Sequence, residues 1–123
     1  MPIKVAIVED DTGVRQSLEA LISGTPGFQC IGSHANAEAA LRRIPHDWPD
    51  VILMDLTLPL MDGFTATKLI RENEQLKNVP IIAVTAHQED DFRNDAKASG
   101  FDAYVTKPID ANWLKELIAG LLI

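Results

Sequence analysis

Residues 51–63 read Val-Ile-Leu-Met-Asp-Leu-Thr-Leu-Pro-Leu-Met-Asp-Gly. Val51–Met54 is an unbroken apolar run, and the carboxylate of Asp55 follows it directly. A strand with one wet face alternates apolar and polar residues. A run apolar at every position is buried on both faces, as in a parallel sheet covered by helices. Outward from this run the pattern repeats. Lys4–Val8, Phe28–Ser33, Ile81–Val84 and Ala103–Val105 are further short β-rich runs, and stretches with helical spacing separate them.

Val14, Leu18, Leu21 and Ile22 give one apolar, core-facing stripe to a helix over about 12–23, closed by Gly24, Pro26 and Gly27. Asn36 can cap a second helix carrying Ala40, Leu41 and Ile44. Pro45 is expected to end it, because proline lacks the N–H and crowds the preceding turn. A third helix is expected from about Phe64 to Glu74, with Leu69 and Ile70 apolar. A short polar fourth, about Glu89–Ser99, has Gly100 in place to end it. Asp110 can cap a fifth with Leu114, Leu117, Ile118 and Leu121 in phase, and Gly120 suits its end. Five β-α units in strict alternation predict an α/β fold in three layers, a doubly wound parallel sheet between helices. Right-handed crossovers leave few ways to wind it, and ligands gather beyond the carboxyl ends of the strands.

The 123 residues are of one-domain length, expected to span 1–123. Such a chain would expose roughly 19,600 Å² unfolded and roughly 6,500 Å² folded, enough burial for a core without staples. Apolar residues at 46% and charged residues at 24% exclude disorder of the whole chain. Cys30 stands alone, so no internal disulfide forms; a core thiol in a reducing, cytoplasmic setting is the expectation. No apolar run approaches the ~20 residues of a membrane span. The first residues lack the apolar core of a signal peptide. A net charge of −7 argues against direct nucleic-acid binding, which draws on Lys and Arg. The acidity is uneven: nine acids face four bases in residues 1–62, against nine and seven in 63–123.

Glu9, Asp10 and Asp11 follow the first run, Asp55 the third, Thr85 and Ala86 the fourth, and Thr106, Lys107 and Pro108 the fifth. Acids, a hydroxyl and one lysine therefore gather on one edge of the sheet. Adjacent carboxylates repel and raise one another's pKa, and a hard divalent cation relieves this. Mg²⁺ takes one or two carboxylates, waters and phosphate oxygens. Lysine supplies a compact charge for a carboxylate or phosphate. Asp11 by itself reads better as the cap of the first helix. His34 and His46 are expected on the surface, His87 either beside the site or in a solvent-exposed loop, and Trp48 and Trp113 in packing roles.

Glu9-Asp10, Asp55 with Pro59 and Gly63 behind it, Thr85-Ala86 and Lys107-Pro108 resemble the response-regulator receiver domain of two-component signalling. The likeness runs from about Lys4 to Leu121. It implies strand order 2-1-3-4-5. It implies Asp55 as phosphoacceptor, attacking the phosphoryl group of a phosphohistidine or small donor. Asp10, Asp55 and the Thr57 carbonyl would ligate Mg²⁺, with Glu9 acting through water. Lys107 would grip the phosphoryl oxygens, and the Thr85 hydroxyl and Ala86 N–H would donate to them. Thr85 and Tyr104 would form the switch. Thr57 and His87 would tune attack by water on the acyl phosphate. The implied partners are a histidine kinase or phosphotransfer protein and a downstream effector protein or domain, with a homodimer as an alternative. Catalysis is confined to the protein's own aspartate. Glu9 stands where many members carry Asp, and Thr57 where several carry Asn.

A haloacid-dehalogenase-like phosphatase also uses an aspartate at a strand end, but Asp55-Leu56-Thr57 lacks its second acid and no cap domain fits. A dinucleotide fold would need a glycine turn where Glu9-Asp10-Asp11 stands. A pseudo-receiver, docking without phosphorylation, would normally lose one of Asp55, Lys107 or Thr85, and all three are present. The apolar Leu121-Leu122-Ile123 at the end leads us to expect a receiver cut from, or working apart from, a longer regulator, with a genuine single-domain shuttle as the alternative.

Overall fold

A computed structural model of the chain describes residues 2–56, 58, 61–85, 100–107 and 109–122. Strands β1 (Ile3–Val8), β2 (Phe28–His34), β3 (Val51–Asp55), β4 (Ile81–Thr85) and β5 (Ala103–Thr106) form one sheet, ordered β2-β1-β3-β4-β5, with every pairing parallel. The described helices are α1 (Thr12–Ser23), α2 (Ala37–Asp47), α3 (Gly63–Arg71) and α4 (Ala111–Leu122). The helix expected near 89–99 lies outside the described residues. The order is the one the resemblance implies, and the exposed area of 6663 Å² is close to the size expectation.

Every residue of β3 and β4 is buried, as their unbroken apolar runs require. Alternate side chains feed two layers. Ile52, Met54, Ile81 and Ala83 pack with Ala40, Ile44, Ala66 and Ile70 of α2 and α3. Val51, Leu53, Ile82 and Val84 pack with Leu18 and Ile22 of α1 and Leu114 and Ile118 of α4. Four side-chain caps start the helices: Asp11 accepts from Val14 N (2.9 Å), Asn36 from Ala39 N (2.8 Å), Asp62 from Thr65 N (2.8 Å) and Asp110 from Trp113 N (2.8 Å). Among the described residues no helix is long and apolar enough to cross a membrane.

Several local expectations are corrected. Pro45 does not end α2, which runs on to Asp47. Buried Ile44 anchors that last turn, and Trp48, left-handed at φ 53°, closes it by donating to Ile44 O at 3.3 Å. Gly120 lies inside α4, where the partly buried Leu121 carries the helix past it. Helix α3 stops at Arg71, earlier than expected, because Asn73 opens a turn by accepting from Gln75 N (2.9 Å). Trp48 and Trp113 are exposed, at 57% and 44%. Trp113 precedes Leu114 by one residue and so falls off the buried stripe of α4.

His34 is buried, not on the surface. The pairing of β1 with β2 skips Ile31: Val5 faces Cys30 and Ala6 faces Gly32. This bulge sends Cys30 to the α1 side and Gly32 and His34 to the α2 side. Cys30 is half-buried, and burial pushes its thiol pKa up. His34 Nε2 has no hydrogen-bond partner among the described residues, and burial pulls its pKa down; Asp47 opposes this and Arg43 adds to it. His46 is exposed, as expected.

Arg71 closes the other end of the sheet. Its Nε and Nη2 donate to Gly100 O (3.0 and 2.7 Å), and its Nη1 donates to Val79 O (2.6 Å). Nη2 also pairs with Asp102 Oδ2 at 2.8 Å, and that oxygen accepts from Ile81 N at 2.9 Å. Gly100 has φ +103°, and a Cβ there would meet Arg71 Cγ at 3.1 Å, so a bare backbone suits the turn.

Candidate functional site

Val8 pairs with Met54, so Glu9 and Asp55 come level at the carboxyl edge of the sheet. Glu9 (1% exposed) and Asp55 (4%) are buried, while Asp10 is exposed. Carboxylate oxygens of the three lie within 4.8 Å of one another. Lys107, just past β5, places Nζ 2.7 Å from Glu9 Oε1 and 3.8 Å from Asp55 Oδ1. Its backbone N donates to Thr85 O at 2.8 Å, which carries the pairing of β4 and β5 up to the site. Burial of the ammonium is the largest single influence on its pKa and pulls it down. The Glu9 hydrogen bond and the charges of Asp55, Glu9 and Asp10 outweigh that, and the pKa is raised.

Backbone bonds set the acidic turn. Glu9 N donates to His34 O (2.9 Å), and Asp11 N donates to Glu9 Oε2 (3.2 Å). Asp11 is a cap, as its isolated reading suggests. Arg15, which the sequence reading passes over, donates from Nη1 to Glu9 O at 2.9 Å and to Asp10 O at 3.4 Å. The available signal is a basic residue in the second turn of α1, where long side chains lean back toward the helix start. Below Asp55 the backbone is crowded. A Cβ at Gly63 would lie 2.2 Å from Asp55 O and 2.9 Å from Leu56 Cα. Only glycine lets α3 start so close to the strand end.

Thr85 is buried and pairs with Thr106, and Tyr104 pairs with Ala83 two residues back. Tyr104 is half-buried against the layer under α2 and α3. Glu9, Asp10, Asp55, Thr85 and Lys107 thus meet at one edge, with Tyr104 beside it. Thr57, Pro59, Ala86, His87 and Pro108 lie outside the described residues. An open groove of about 700 Å³ runs beside Lys107, lined by Val14, Ser17, Leu18 and Leu21 of α1 and by Ile109.

Three converging carboxylates, two of them buried, suit a hard cation bound through oxygen. Lys107 offsets part of their charge.

A family model described as the response regulator receiver domain matches residues 5–119. The polar-differentiation response regulator DivK of Brucella ovis is 35% identical over 123 residues, covering 99% of this chain and 98% of DivK. Response regulator Rre1 of Synechocystis sp. is 29% identical over 98% of this chain, which spans about half of Rre1 (52%). Among solved structures, the receiver domain of the Pseudomonas aeruginosa sensor histidine kinase PA1611 superposes with a TM-score of 0.88 at 30% identity, covering 99% of this chain and 98% of its own. That domain holds a magnesium ion in its active-site cleft. The acidic edge, the strand order and these likenesses agree: the chain belongs to the response regulator receiver domain family of two-component signalling.

Proposed function

We propose that residues 1–123 form a phosphoacceptor domain that takes a phosphoryl group on Asp55 and passes the change to a partner. The observation that carries this reading is a buried Asp55 beside the acidic pair Glu9-Asp10 and 3.8 Å from the Lys107 ammonium, at the strand ends where α/β sheets place ligands. A carboxylate oxygen of Asp55 forms a bond to phosphorus as the bond from phosphorus to the donor imidazole nitrogen breaks. Asp10, Asp55 and the Thr57 carbonyl would hold Mg²⁺, with Glu9 acting through water; the PA1611 domain supports this choice of ion. When bound, the cation neutralises charge on the carboxylates and on the incoming phosphoryl oxygens.

The remaining steps fall to the protein's own groups. Lys107 stands beside Asp55 and takes up the new charge, with the Thr85 hydroxyl and Ala86 N–H as further donors. Thr85, drawn to the phosphoryl group, vacates space toward which Tyr104 turns. The chemistry is done on the protein's own aspartate, in the cytoplasm. The donor is a histidine kinase or phosphotransfer protein, and the receiver of the signal is an effector protein or domain, or a second copy of the chain.

The test is incubation with acetyl phosphate and Mg²⁺, followed by mass mapping. One phosphoryl group on Asp55, absent from Asp55→Asn, is expected. Full labelling of Asp55→Asn would overturn the assignment.

A further inference from the structure

One side chain on the acidic turn has no part in the reading above. Arg15 is the fourth residue of α1, and its backbone N–H donates to Asp11 O at 2.8 Å, closing the first turn of the helix. Its guanidinium runs back past that turn to the carbonyls of Glu9 (2.9 Å) and Asp10 (3.4 Å). These are the two residues whose carboxylates face Asp55. Like charges so placed push each other apart. Glu9 N to His34 O fixes the peptide before Glu9, and Asp11 N to Glu9 Oε2 fixes the planar Asp10–Asp11 peptide. Arg15 therefore reinforces the Asp10 carbonyl and is the side chain that holds the Glu9–Asp10 peptide between them, through the Glu9 carbonyl. A planar guanidinium with several donors in fixed directions suits that task better than an ammonium.

Building on the proposed cation site, the geometry points to Arg15 as a positioning residue. By holding the backbone of Glu9 and Asp10, it keeps their carboxylates aimed at a divalent cation shared with Asp55. The sign of its effect separates this role from simple charge. A guanidinium near a cation site repels the cation, so losing the charge alone would tighten binding. Losing the positioning would loosen it.

Calorimetric titration of the whole chain with Mg²⁺ decides between them, beside thermal unfolding with and without Mg²⁺. Arg15→Ala is expected to bind Mg²⁺ roughly tenfold more weakly, the low end of what groups that orient metal ligands contribute. Arg15→Lys should recover part of that loss. Equal or tighter binding by Arg15→Ala overturns the proposal. If Arg15→Ala does not fold, Arg15→Gln takes its place: weaker binding supports positioning, and equal or tighter binding overturns it. Should the parent chain show neither binding heat nor a Mg²⁺-dependent rise in unfolding temperature, the cation site itself falls, and this inference with it.

Discussion

Lys107 rests on Glu9, not on Asp55: its Nζ lies 2.7 Å from Glu9 Oε1 and 3.8 Å from Asp55 Oδ1. Glutamate is one methylene longer than the aspartate many receivers carry at this place, and it brings its carboxylate to the ammonium. Glu9→Gln removes the nearer anion, so the pKa of Lys107 should drop toward its ordinary 10.5. NMR titration of the lysine side chain measures this. A pKa raised in the folded state stabilises fully below 10.5, and that contribution disappears as pH climbs through the folded value. Above pH 10.5 the parent should therefore lose stability more steeply than Glu9→Gln.

His34 titrates with the opposite sign. Its folded pKa lies below the ordinary 6.5, because burial disfavours the charged ring. The neutral ring is at home in the fold, so stability is present above 6.5 and is lost as pH falls through 6.5 toward the folded value. Urea midpoints at pH 7.5 and 5.5 should fall further apart in the parent than in His34→Gln. Equal spacing in the two proteins would remove His34 from the acid sensitivity.

Gly63→Ala sets a methyl group against the Asp55 carbonyl, where a Cβ would be 2.2 Å away. Overpacking of this kind costs about 1–3 kcal/mol. A lower denaturation midpoint is expected, together with slower labelling by acetyl phosphate, because the backbone that must yield is that of the phosphoacceptor. Parent-like stability and labelling would show that the turn relaxes freely.

Thr85→Ala should still accept a phosphoryl group yet shift partner binding less than the parent does. A modification moves an equilibrium only as far as it interacts differently with the two states. Phosphorylation extent by mass and affinity for the cognate partner measure the two halves separately. Equal activation in both proteins would take Thr85 out of the switch.

The apolar runs make the fold legible, because β3 and β4 are buried on both faces and need no polar residue to mark the inner side. Their ends are less legible. The runs stop at Ser33, Met54, Val84 and Val105, but the strands continue through His34, Asp55, Thr85 and Thr106. Backbone pairing carries on one residue past the apolar pattern, so Asp55 and Thr85 ride on the sheet itself. The bulge at Ile31 has no signature in hydrophobicity, and it is what buries His34. Arg15 and Gly63 act through backbone atoms of other residues, contacts that a reading by residue type does not reveal.

The Arg71 clamp has a consequence for signalling. It binds the end of α3 to Val79, Gly100 and Asp102, and Asp102 in turn holds Ile81 N, so the amino ends of β4 and β5 form one fixed block. Thr85 and Lys107 sit at the opposite ends of those strands. Lys107 N bonded to Thr85 O ties those ends to each other as well, so β4 and β5 are joined at both ends and a change at Thr85 is shared with Lys107.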